Sequence, residues 1–128
     1  MTLLLDTHAL LWWLFNDPNL SERARNAITD RTNTVVVSSA SAWEITTKWR
    51  LGRLREAEDA VRRLPALLVE CGFETLPISV PHALAAGALT IAHRDPFDRM
   101  LIAQATLEQF TLVTRDATIA RLFADTLW

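Results

Sequence analysis

Residues 2–7 read TLLLDT and residues 111–116 read TLVTRD. Both are short apolar runs that end on a carboxylate, Asp6 in the first and Asp116 in the second. An uninterrupted apolar run bounded by polar residues predicts a strand buried on both faces. In open parallel sheets, ligands sit in the crevice beyond the carboxyl ends of the strands. Two acids from opposite ends of the chain are therefore candidates for one site.

Working outward, strand and helix signals alternate. Leu3–Leu5 predicts a first strand and Thr7–Phe15 a helix apolar almost all round, ended by Asp17-Pro18. Ser21 suits the cap of a second helix reaching Asp30. TVVV at 34–37 is β-branched and predicts the second strand. Helices are expected over 41–50, stopped by Gly52, and over 57–71, with Pro65 as the place where the second would break. Phe73–Ile78 predicts a weaker strand, and Ser79-Val80-Pro81 opens a short alanine-rich helix. Asp95-Pro96 opens a longer one to about Gln109, with proline at the favoured first helical position. Thr111–Thr114 is a fourth strand, 117–123 a last helix and 126–128 an edge strand. Strands separated by helices imply an α/β fold, a parallel sheet with helices on both faces.

The chain has 128 residues, half of them hydrophobic, which fits a single domain over 1–128 with a real core. One cysteine excludes an internal disulfide and a multi-cysteine zinc site. The spacing of Cys71 suits a buried structural thiol. The apolar run at 9–15 is too short to span a bilayer, so no membrane is expected and the cytosol is the default location. A net charge of −2 gives no global attraction to nucleic acid. Binding to it would need a local basic patch or metal ions.

Four acids stand out, and each has an ordinary explanation. Asp6 and Asp116 both precede helices and suit N-caps. Glu44 lies four residues before Lys48, the spacing of a surface ion pair. Asp98 is third after Asp95, as in a capping box. These explanations leave unexplained why acids recur where strands end. Four converging carboxylates would repel without a cation. An all-oxygen set calls for Mg²⁺ or Mn²⁺ rather than zinc. Two such ions about 3.5–4 Å apart clamp in-line phosphodiester displacement.

At these residues the chain resembles the PIN-domain ribonucleases, in particular the VapC-type toxins. LLLDTHALLWWL carries Asp6 and Thr7, SSASAWEI carries Glu44, DPFDRMLIAQA carries Asp98, and LVTRD carries Thr114 and Asp116. The resemblance covers nearly the whole chain. It implies a five-stranded parallel sheet, a homodimer, a divalent-metal endoribonuclease acting on RNA, and a cognate antitoxin. It also implies Asp6, Glu44, Asp98 and Asp116 as the metal-binding and catalytic set. Thr7, Thr114 and Arg99 are expected to position substrate or water. Asp95 is assigned to capping.

Arg94, Arg99 and Arg115 are placed to meet phosphate, which arginine grips in a bidentate fork. His8 and His93 form no H-x-x-x-H pattern and are read as incidental or as outer supports. Adjacent Trp12 and Trp13 diverge by about 100° on a helix, so one is expected to face a partner, a second copy or the antitoxin. Two other domain types are disfavoured. A phosphoacceptor receiver needs an Asp after the third strand and a late lysine, and the only lysine is Lys48. A haloacid-dehalogenase-like phosphatase needs D-x-D, and position 8 is His. A binding module whose acids merely cap helices is left open.

Overall fold

Residues 1–91, 93 and 95–128 are described by the computed structural model; Arg94, named above, lies outside them. Five strands form one sheet: β1 Thr2–Leu5, β2 Thr34–Ser38, β3 Glu74–Leu76, β4 Thr111–Val113 and β5 Thr126–Leu127. Every pairing is parallel, and the spatial order is β3-β2-β1-β4-β5. β1 is central, with Leu4 registered against Val36 on one side and Leu112 on the other. The chain builds outward from β1 to β3, then crosses to β4. The strand order therefore reverses at β1 and β4, where a doubly wound sheet opens its crevice.

Among the described residues, seven α-helices connect the strands: α1 Thr7–Leu14, α2 Glu22–Thr29, α3 Ser39–Arg50, α4 Glu58–Cys71, α5 Val80–Ala88, α6 Pro96–Glu108 and α7 Ala117–Leu122. Alternation along each strand splits the core between the two sheet faces. Leu3, Leu5, Val35, Val37 and Val113 pack with Leu10 of α1, Ala24 and Ile28 of α2, and Leu64 and Leu68 of α4. Leu4, Val36 and Leu112 pack with Leu101, Ile102 and Ala105 of α6 and Ile119 of α7. The three leucines of β1 are fully buried, each contributing about 1.5–3 kcal/mol.

Local chemistry sets the ends of these elements. Ser21, Ser38 and Ser79 cap α2, α3 and α5 through their hydroxyls. Gly72 ends α4 in the left-handed region at φ 71°, where a side chain would be strained. Three expectations change. α4 runs through Pro65 without a break. β3 is only three residues long, and as an edge strand it exposes Glu74 and Thr75. Cys71 is half-buried rather than sealed in the core, because it lies at the last turn of α4 beside the sheet edge.

Candidate active site

The carboxyl ends of β1 and β4 deliver Asp6 and Asp116 directly into helix starts. Asp6 Oδ1 accepts the Ala9 N–H at 2.8 Å and caps α1. Asp116 Oδ1 accepts the Thr118 and Ile119 N–H groups at 2.8 and 3.1 Å and caps α7. The capping explanation is thus correct for both, and it consumes one oxygen of each. Both residues also line a single cleft of about 290 Å³.

Glu44 and Asp98 reach that cleft from helices. Glu44 lies one turn into α3 and is 3% exposed. Its Oε1 accepts the Thr7 hydroxyl at 2.5 Å, and its Oε2 pairs with Lys48. The Lys48 pair is real but not a surface pair, since the carboxylate is buried. Asp98 stands in the first turn of α6. Asp95 alone makes the cap there, accepting the Phe97 and Asp98 N–H groups at 2.9 and 3.1 Å. The Asp98 carboxylate turns instead toward His93, whose Nε2 is 3.1 Å from Asp98 Oδ2 and 3.8 Å from Asp116 Oδ2.

The cleft is lined by Asp6, Glu44, Asp95, Asp98 and Asp116 with Thr7, His8, Trp12, Lys48 and Arg115. Crowding of like charges shows in the acids themselves. Burial, then the charges of Asp95, Glu44, Asp6 and Asp116, push the Asp98 carboxyl up to about 7. Burial also raises Asp6, aided by the Glu44 charge and opposed by Thr114, the Ala9 N–H and His8. Thr114 is buried below the cleft, where its oxygen also accepts the Asp116 N–H at 3.0 Å.

The positioning residues fare differently. Thr7 touches Glu44, and Thr114 supports Asp6 and Asp116, so both sit among the acids. Arg99 does not line the cleft. Its guanidinium donates to the carbonyls of Ala86, Leu89 and His93 at 3.0, 2.6 and 3.0 Å, which leaves it no free fork for phosphate. One position along a helix turns a side chain by about 100°, so adjacency to Asp98 does not carry Arg99 into the site. Arg115 does line the cleft, exposed, with its guanidinium 4.6 Å above the Trp12 ring. Trp12 and Trp13 diverge as expected, but each is half-buried against an aromatic neighbour, Trp128 and Phe73 respectively. The exposed tryptophan is Trp43, at 60%. His93, read from the sequence as incidental or an outer support, lies beside two of the acids. Its partners are 5 and 23 residues away, a spacing that no motif would flag.

A profile of the PIN domain matches residues 3–123. The chain belongs to the PIN domain family. Ribonuclease VapC16 of Mycobacterium tuberculosis is 40% identical to this PIN domain over 62 residues. That segment is 48% of this chain and 43% of the relative, so less than half of the relative's length is matched. Solved structures share the fold. VapBC2 from Rickettsia felis, bound to a DNA fragment from its promoter, superposes with a TM-score of 0.70 at 18% identity, covering 99% of this chain and 96% of that one. A toxin–antitoxin complex from Klebsiella pneumoniae gives 0.61 at 19% identity, covering 98% and 95%. FitAcB from Neisseria gonorrhoeae gives 0.61 at 22% identity, covering 91% and 88%. Among the described residues, no helix is long and apolar enough to cross a membrane.

Proposed function

We propose that this PIN domain is a divalent-metal-dependent endoribonuclease, the toxin of a toxin–antitoxin pair. One observation carries the reading: four acids from four separate elements line one cleft at the point where the strand order reverses. The ribonuclease relative and the toxin–antitoxin complexes of the same fold support it. A cytosolic location and a homodimer are part of the same proposal.

The donor set fits a hard cation. It is all carboxylate, buried and crowded enough to raise Asp98, and it borders an orphaned buried nitrogen on His93. Oxygen donors of this kind suit Mg²⁺ or Mn²⁺. Asp6, Asp98 and Asp116 are the residues to hold it, with Glu44 as a further ligand or as the group that orients water. A bound divalent ion would activate a water for attack and stabilise the leaving oxygen.

The remaining residues prepare that arrangement. The caps on α1 and α7 fix Asp6 and Asp116, so neither carboxylate reorients freely. Thr7 fixes Glu44, and Lys48 offsets its charge. Arg115, held over Trp12 at the cleft rim, is the cation placed to grip an RNA phosphate. The test is cleavage of a synthetic single-stranded RNA by the purified chain. Cleavage is expected with Mn²⁺, and none with EDTA or in Asp98→Asn. Equal cleavage in EDTA would overturn the metal assignment. Growth arrest on expression, relieved by co-expressing a small protein if one is encoded beside it, tests the antitoxin.

A further inference from the structure

We propose that His93 is a positioning residue of the acid site, holding the Oδ2 atoms of Asp98 and Asp116 through its Nε2–H. The inference rests on the metal-site reading above. The ring is 14% exposed, and Nε2 itself is buried with no hydrogen-bond partner among the described residues. It lies 3.1 Å from one Oδ2 and 3.8 Å from the other, near enough to both and aligned with neither. The three atoms lie within 4.8 Å of one another, the spacing of groups around one small cation.

The other ring nitrogen decides the role. Nδ1 accepts the Asp95 N–H at 3.4 Å. A neutral imidazole carries one proton, so this acceptor contact puts the proton on Nε2. A protonated nitrogen does not ligate a metal, but it does donate to a carboxylate. His93 is therefore an outer support. Two like-charged carboxylates would otherwise spread apart, and a donor seated between them holds their oxygens at a common point. Bonding to either oxygen requires the ring to turn from its present alignment.

The backbone supports the same geometry. The His93 carbonyl accepts from Arg99, the residue after Asp98 on α6. Arg99 also ties down Ala86 and Leu89, so the segment carrying His93 is anchored to the helix that carries its target. His8, by contrast, is exposed at the cleft mouth and makes no such contact with the acids.

The experiment measures Mn²⁺ affinity of the purified chain by EPR of the free ion. His93→Leu removes the donor and is expected to weaken binding about 10–100-fold. His93→Gln keeps an N–H near the same point and is expected to retain most of the affinity. Melting in EDTA confirms that the variants are folded. Pulsed EPR of the Mn²⁺-loaded wild type is expected to show no imidazole nitrogen bound to manganese, a readout that needs no variant to fold. Unchanged affinity in His93→Leu would overturn this inference and leave the metal site standing. A directly bound nitrogen would also overturn it, by making His93 a ligand. No Mn²⁺ binding by the wild type would overturn both.

Discussion

The two halves of the acid cleft handle negative charge in different ways. On the side of Asp6 and Glu44, the protein supplies the partners itself. Both oxygens of Glu44 are engaged, by Thr7 and Lys48, and Asp6 is held by Ala9 with Thr114 beside it. On the side of Asp98 and Asp116, no side-chain cation is bonded to either acid among the described residues: Asp116 is held by backbone N–H groups, and the N–H of His93 stands between the two acids aligned with neither. Burial, then the surrounding carboxylates, push Asp98 to about 7, while Asp6 in the other half is raised chiefly by burial and held down by Thr114 and the Ala9 N–H. One half is a folded ion pair. The other is an unbalanced pair that an external cation would complete.

The strongest way to break this comparison is to neutralise one acid in each half. Asp98→Asn is expected to lower RNA cleavage about 10³-fold, since a bound metal supplies several kcal/mol and each 1.36 kcal/mol is tenfold. The same change should raise the melting temperature without metal, because it removes an unbalanced charge. Glu44→Gln should also lower cleavage but reduce the melting temperature, because it strips Lys48 of its partner. Cleavage assays and melts in EDTA check both. If the two variants shift stability in the same direction, the halves are not different.

Next in size is Lys48→Met. Removing one member of a buried pair strands the other, at a cost of 3–5 kcal/mol in fully buried cases. Lys48 is 25% exposed, so about 2–3 kcal/mol is expected here, measured by urea denaturation. A loss below about 0.5 kcal/mol, the size of an exposed helical pair, would mean that water already screens Glu44.

The sequence made the first half partly legible and the second half poorly so, for physical reasons. Apolar runs ending in Asp6 and Asp116 announced both the parallel sheet and the acids at its rim. The i,i+4 spacing of Glu44 and Lys48 announced their pair. Burial of that pair was not readable, because it depends on α1 packing beside α3 and bringing Thr7 to Glu44. Arg99 misled because sequence adjacency ignores helical rotation. His93 was legible only as incidental or an outer support, because its contacts with Asp98 and Asp116 come from a loop held in place by Arg99 carbonyl contacts, not from any local periodicity. Buried Gln104 is a similar case. It sits on the apolar face of α6, yet it bonds Ser38 at 2.5 Å across the sheet end.

Arg99→Met sharpens the comparison from that loop. The guanidinium satisfies several carbonyls at the end of α5 and beyond it. Losing it should cost about 1–2 kcal/mol, at the level of one or two unmade hydrogen bonds to a charged group. Mn²⁺ affinity should weaken as well, since His93 loses its anchor. Arg99→Lys should restore stability only in part, because one ammonium does not reach all of these carbonyls. A variant that loses stability but keeps full metal affinity would separate the loop from the site.

The smallest expected effect is the pH dependence of stability without metal, and its sign follows from Asp98. The carboxyl sits near 3.8 in the unfolded chain and about 7 in the fold. A raised value means that folding favours the protonated form. Its contribution is therefore complete below pH 4 and is lost as pH rises through 7. Asp6, raised by burial, acts in the same direction. The melting temperature in EDTA should fall between pH 5 and pH 8, and Asp98→Asn should flatten that fall. Saturating Mn²⁺ should reverse it, because a bound cation favours the ionised acids and competes with their protons. A wild-type profile unchanged by Mn²⁺ would mean that the Asp98 half balances its own charge, and the contrast between the two halves would disappear.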